Sequence, residues 1–132
     1  MSRLEIPETR TGMSHKSPLR EKSVELGVAT LVYTQKLRSI KFEQSVINQF
    51  VRSGTAVGAL VAEAGSAESK ADMHHKFGIS LKEARETGYW LELIGRIITI
   101  DEEYNDITLL LSEVIAMLVA SRNTLKRVKS EK

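Results

Sequence analysis

Residues 47–64 read Ile47-Asn48-Gln49-Phe50-Val51-Arg52-Ser53-Gly54-Thr55-Ala56-Val57-Gly58-Ala59-Leu60-Val61-Ala62-Glu63-Ala64. Within this stretch Ile47, Phe50, Gly54, Val57, Val61 and Ala64 recur at 3-4-3-4-3 spacing. That period places them on one stripe of an α-helix, the seam of a bundle or coiled coil. Gly54 and Gly58 stand four apart in the same helix. Each glycine costs about 1 kcal/mol against alanine in a helix interior, so close packing against a neighbouring helix has to offset it.

Working outward, the same period appears three more times. On the N-terminal side, Ser17-Pro18 is a helix start, with Ser as N-cap and Pro in the first turn. The helix it opens is expected to reach about Ser39. It carries two apolar stripes, one of Val24, Val28 and Leu31, the other of Leu26, Ala29, Tyr33, Leu37 and Ile40. On the C-terminal side Gly65-Ser66 ends the quoted helix. A third helix begins near Ser69, with Asp72 three residues on. Phe77, Leu81, Ala84, Gly88, Leu91, Gly95 and Ile98 carry it to about Thr99. A fourth starts near Asp101, followed by Glu102 and Glu103, which suit a helix N-terminus. Its seam is Tyr104, Ile107, Leu111, Val114, Leu118, Ser121, Leu125 and Val128. The loops are expected to be short: about three residues, then four or five, then one or two. Short loops force antiparallel neighbours, so the pattern predicts an all-α, up-down-up-down four-helix bundle.

Composition agrees. The 132 residues suit one domain, organised as an arm over 1–16, a bundle over 17–128 and a basic tail over 129–132. The only prolines are Pro7 and Pro18, which leaves the rest of the chain open to long helices. There is no cysteine, which excludes disulfides and thiolate metal sites and fits a reducing, cytoplasmic setting. The first 16 residues lack the apolar core of a signal peptide, and no membrane span is expected.

Catalytic and metal chemistry is thin. Di-iron bundles use Glu-x-x-His, which does not occur here. His74 and His75 are adjacent, and adjacent helical residues diverge by about 100°, so they cannot share one ion. Glu83 and Glu86 share a helix face and could in principle serve acid–base chemistry with His74. A simpler role is ion pairing with Arg52, Lys82 or Arg85. If helices two and three turn about Gly65-Ser66, Arg52 lies beside Leu81, within reach of Glu83 and Glu86. Glu63 then lies near Lys70 and His74. Arg52, Glu63, Glu83 and Glu86 are therefore read as structural ion-pair residues. No catalytic residue, metal or cofactor is expected, and the chain is read as non-enzymatic.

Charge is unevenly spread around a net of +2. Lys36, Arg38, Lys41 and Arg52, against Glu43, make one basic segment. Arg122, Lys126, Arg127, Lys129 and Lys132, against Glu131, make another. Residues 53–121 carry 5 basic and 11 acidic side chains. The basic end of helix four complements the helix dipole, and on these residues alone that is the simpler account. The functional account makes Lys36, Arg38, Lys41, Arg122, Lys126, Arg127 and Lys129 candidates for phosphate contact. The two clusters fall at opposite poles of one bundle, so only an oligomer or a long nucleic acid joins them. The apolar surplus on helix one and on the second half of helix three also points to a partner surface, with self-association the simplest case.

Two segments resemble a bacterial family. Val51–Ala64 looks like its RSA-x-SI-x-ANIAEA segment, and Leu81-Lys82-Glu83-Ala84-Arg85-Glu86-Thr87-Gly88-Tyr89-Trp90-Leu91 looks like its ALKEA-x-ET-x-YWL segment. The family is that of the 23S rRNA intervening-sequence proteins, which includes the accessory variability determinant of diversity-generating retroelements. Leu60 stands where the family has Asn. The resemblance implies an antiparallel bundle assembled as a ring-like homopentamer. Partners implied are RNA or DNA and, as the alternative reading of a protein scaffold, a reverse transcriptase.

Overall fold

The computed structural model describes residues 17–130, and of residues 127–130 the backbone alone. The expected arm over 1–16 and the last two residues lie outside the described part. Four helices make up the fold: α1 (Pro18–Ser39), α2 (Gln44–Gly65), α3 (Lys70–Ile97) and α4 (Glu102–Ser130). Their starts follow from side chains that satisfy backbone N–H groups left free in a first turn. Ser17 Oγ accepts from Arg20 N at 3.2 Å, Ser69 Oγ from Asp72 N at 3.0 Å, and Asp101 Oδ1 from Tyr104 N at 3.0 Å. α4 runs through Ser130, so the first two residues of the expected tail are helical.

One expectation needs correction. The α3–α4 connection is four residues, Ile98 to Asp101, rather than one or two. The run Ile97-Ile98-Thr99-Ile100 is β-branched throughout, which weakens the helix. Ile98 leaves it with φ −90° and ψ 166°.

Each helix packs on two others: α1 on α2 and α4, and α3 on α2 and α4. The backbones of α1 and α3 do not approach each other, so these helices stand at diagonal corners of a square. The core between them holds Leu26, Leu37, Phe50, Val57, Leu91, Ile94, Val114 and Leu118, all at most 1% exposed. Burying a side chain of this size contributes roughly 1.5–3 kcal/mol. The quoted seam is buried as its period requires, from Ile47 to Ala64.

The α1 side of the core is partly polar. Ser23, Thr30 and Thr34 are buried, and Thr30 and Thr34 donate to the carbonyls of Leu26 and Thr30, at 2.7 and 2.8 Å. Small hydroxyl residues here let α2 come close. A Cβ on Gly54 would meet Thr30 Oγ1 at 2.5 Å, and one on Gly58 would meet the Ser23 carbonyl oxygen at 3.0 Å. Between α2 and α3, Ser80 Oγ donates to the Val57 carbonyl and Thr87 Oγ1 to Ser53 Oγ, both at 2.9 Å. The buried serine and threonine hydroxyls named here are thus paired, as low-dielectric surroundings demand.

The second α1 stripe does not all enter the core. Ile40 is 52% exposed, past the end of the helix. The other stripe lies wholly outside: Val24, Val28 and Leu31 are each about half exposed, joined by Val32. α4 is apolar enough and long enough to cross a membrane on those criteria alone. A bundle helix reads the same way. Four of its residues, Ile107, Leu111, Val114 and Leu118, are buried against the other helices, and Glu113 bonds Lys22 of α1 at 3.1 Å.

Candidate functional site

One pole gathers the end of α1, the start of α2, the end of α3 and the start of α4. Here the chain leaves α1 through a Schellman turn. Phe42 N donates to Leu37 O and Lys41 N to Arg38 O, both at 3.0 Å, and Lys41 occupies the left-handed region with φ 56°. Glycine is the usual residue at that position, because a Cβ is disfavoured there. Lys41 and Arg38 are exposed. Lys36 is not free: its ammonium pairs with the Asp101 carboxylate at the start of α4. A groove of about 720 Å³ opens between Lys36, Ile40, Lys41, Phe42, Ile98 and Thr99.

The opposite pole gathers the end of α4 and the start of α3. Arg122 lies over Gly78 of α3, so that a Cβ on Gly78 would sit 3.1 Å from Arg122 Nη2. Arg122 Nε is buried with no hydrogen-bond partner among the described residues. Lys126, one turn on, is exposed. Arg127 and Lys129 continue α4, and their side chains fall outside the described part. The two expected clusters are therefore at opposite ends. α1 alone, at 22 residues, is about 33 Å long.

Arg52 of α2 reaches across to α3. Its Nη1 bonds Glu83 Oε2 at 3.0 Å, its Nη2 bonds Glu86, and its Nε donates to Gln49 at 3.2 Å. Glu83 and Glu86 thus face an arginine rather than a cavity. Exposed pairs of this kind contribute at most about 1 kcal/mol each. Glu63 is exposed near the end of α2. Among the described residues no group of three His, Asp or Glu has a metal-binding arrangement.

Burial shapes the ionisation of two tyrosines. Desolvation pushes the Tyr33 hydroxyl up to about 12, and its oxygen has no hydrogen-bond partner among the described residues. Burial also raises Tyr104, whose hydroxyl donates to the Leu91 carbonyl at 2.8 Å. On the surface, Glu113 raises the Lys22 ammonium by hydrogen bonding to it.

Two cations expected as possible partners of Glu83 and Glu86 stand apart from them, since Arg52 takes both carboxylates. Lys82 and Arg85 are exposed on α3, and no ion pair among the described residues includes either. Counting charge along the chain hid them inside the acidic segment 53–121. Their spacing from Gly78 and Tyr89, at 4-3-4, is the signal that places them on one face.

An antiparallel square of four helices, with basic side chains at both poles and arginine-bound carboxylates along one edge, defines the class of this protein. The chain belongs to the family described as 23S rRNA-intervening sequence protein, which it matches over residues 16–120. It is similar to a protein of unknown function from the S23 ribosomal protein family of Bacteroides thetaiotaomicron, known from a crystal structure. The two share 36% identity with a TM-score of 0.74, over 79% of this chain and 97% of that one. No curated protein matches the chain.

Proposed function

We propose that this protein is a non-enzymatic, self-associating bundle that binds RNA or DNA through its unpaired basic side chains. The carrying observation is that Arg38, Lys41, Arg122 and Lys126 make no ion pair among the described residues, while Arg52 and Lys36 are neutralised. Cations left unpaired at both poles suit a polyanion that is longer than one subunit or threads an assembly of several.

Self-association would use the outer face of α1. Val24, Val28, Leu31 and Val32 form an apolar strip about half exposed, and no charged residue occurs between Glu25 and Lys36. A strip of this kind on the outside of a helix suits an equivalent copy. A ring of five is the arrangement the family resemblance implies.

Mobility shifts with RNA and DNA across a salt series test the binding, which should be tightest at low salt and weaken linearly on a log–log plot. Absence of any shift at low salt would refute it. Light scattering tests the assembly: a mass equal to the 14.7 kDa chain would refute self-association.

A further inference from the structure

The outward stripe of α3 is Ala71, His75, Gly78, Lys82, Arg85, Tyr89, Glu92 and Arg96, at 4-3-4-3-4-3-4 spacing. All are exposed except Gly78, which lies under Arg122 of α4. The close approaches of Gly78 to Arg122, Gly88 to Leu111 and Gly95 to Tyr104 hold the two helices side by side from Gly78 to Gly95 of α3. They also fix which edge of α4 borders this stripe. Counting back from Lys126 and Arg122 by threes and fours, that edge is Val119, Ile115, Ser112 and Thr108. It contains no carboxylate.

The acidic residues lie off this stripe, except Glu92, which bonds Arg96 within it. On α3, Asp72 bonds Lys76, Glu83 and Glu86 bond Arg52 of α2, and Glu92 bonds Arg96. On α4, Glu113 bonds Lys22 of α1, and Glu103 and Asp106 line the cleft against α1. What remains on the α3–α4 side is a set of cations with no carboxylate partner among the described residues: Lys82, Arg85, Arg122 and Lys126. At the far end of the set stands Tyr89, 54% exposed, its ring held edge-on to Trp90 with centroids 4.9 Å apart.

We infer that this α3–α4 face is a track for single-stranded nucleic acid. Lys82, Arg85, Arg122 and Lys126 contact phosphates, and the ring of Tyr89 stacks on a base. The inference rests on the proposed nucleic-acid association and gives it a surface. A carboxylate-free row of cations gives a backbone contact without sequence preference. An exposed aromatic ring at its end favours a strand whose bases are unstacked. Arg122 is the fixed point of the row, because Gly78 leaves room for its guanidinium flat against α3. Lys82 and Arg85 are three residues apart and follow it on the same face.

The test compares labelled single-stranded RNA, single-stranded DNA and duplex DNA of one length on the full chain, over a salt series. The variants are Lys82→Gln with Arg85→Gln, Tyr89→Ala, and Arg38→Gln with Lys41→Gln. All lie on the surface or in the α1–α2 turn, and a circular dichroism melt confirms that each folds. The first pair is expected to weaken single-strand binding roughly tenfold or more. It should also reduce the slope of log K against log salt by about 1.4, at about 0.7 per phosphate. Tyr89→Ala is expected to weaken single-strand binding roughly tenfold, with the slope unchanged and duplex binding little affected. If the wild type binds but only the Arg38/Lys41 pair matters, the α3–α4 track is overturned while nucleic-acid association stands. If Tyr89→Ala lowers duplex and single-strand binding alike, or neither, the single-strand preference is overturned. If the wild type binds no strand at low salt, both readings fall.

Discussion

The outer faces of α1 and α3 occupy equivalent places, at diagonal corners of the same square and each flanked by two neighbours. On α1 the corner is Val24, Val28, Leu31 and Val32. On α3 it is His75, Lys82, Arg85 and Tyr89. The bundle asks nothing different of the two positions, since neither contributes to the core. Under the proposed function, the difference in chemistry reflects what each corner meets. An apolar strip in water is a cost unless covered, whereas a cationic strip is soluble by itself and attracts anions. The inner faces of the two helices differ as well. α3 buries mostly large aliphatic and aromatic groups, while α1 alternates Leu26, Tyr33 and Leu37 with Ser23, Thr30 and Thr34. α1 is thus apolar on both sides only in part, and its outward valines cannot be read as spare core.

That comparison can be broken directly. The largest effect is expected from Val28→Lys with Leu31→Lys, which makes the α1 corner resemble that of α3. Light scattering should then give the 14.7 kDa mass, with the fold kept. The converse change, Lys82→Leu with Arg85→Leu, should produce a new sticky corner and concentration-dependent growth in mass without closure. Next in size is Gly54→Val, which drives a side chain into Thr30 and should lower stability by about 1–3 kcal/mol in a denaturant melt. A smaller effect sharpens the inner side of α1. Tyr33→Phe removes a buried hydroxyl that has no partner among the described residues, and should leave stability equal or raise it by about 1 kcal/mol. In the wild type the folded tyrosine keeps its proton to about pH 12, while an unfolded one releases it near pH 10.0. Between those values the unfolded state holds fewer protons, so stability falls as pH rises, and Tyr33→Phe should flatten that fall. The smallest effect is Lys41→Gly, which relieves a left-handed backbone and should add roughly 0.5–1 kcal/mol to thermal stability.

Most of the architecture was legible in the apolar period. Ser17, Ser69 and Asp101 mark the starts of α1, α3 and α4, and the α2 seam is buried as its spacing requires. The α1 core was harder, because Ser23, Thr30 and Thr34 are buried through their bonds to the preceding turn and carry no apolar signal. Of the charged residues, Arg52 meeting Glu83 followed from the register of a single hairpin. Lys36 meeting Asp101 did not, since that contact needs the first and last helices to close the square. Lys82 and Arg85 were legible as possible ion-pair partners but not as a cationic face, for a different reason. Charge sorts by helix face, and a count along the chain averages the faces together.

The paired hydroxyls between α2 and α3 have a consequence beyond their own bonds. Ser80 finds the Val57 carbonyl and Thr87 finds Ser53 in one alignment of the two helices. Sliding either helix by a turn would take both hydroxyls off these acceptors; Thr87 keeps its bond to the Glu83 carbonyl of its own helix, but Ser80 loses its partner. Such a pair acts as the teeth of a key, admitting one setting of the bundle. With alignment held from inside, the exterior is released from that duty, and its corners are free to be rewritten for whatever they must touch.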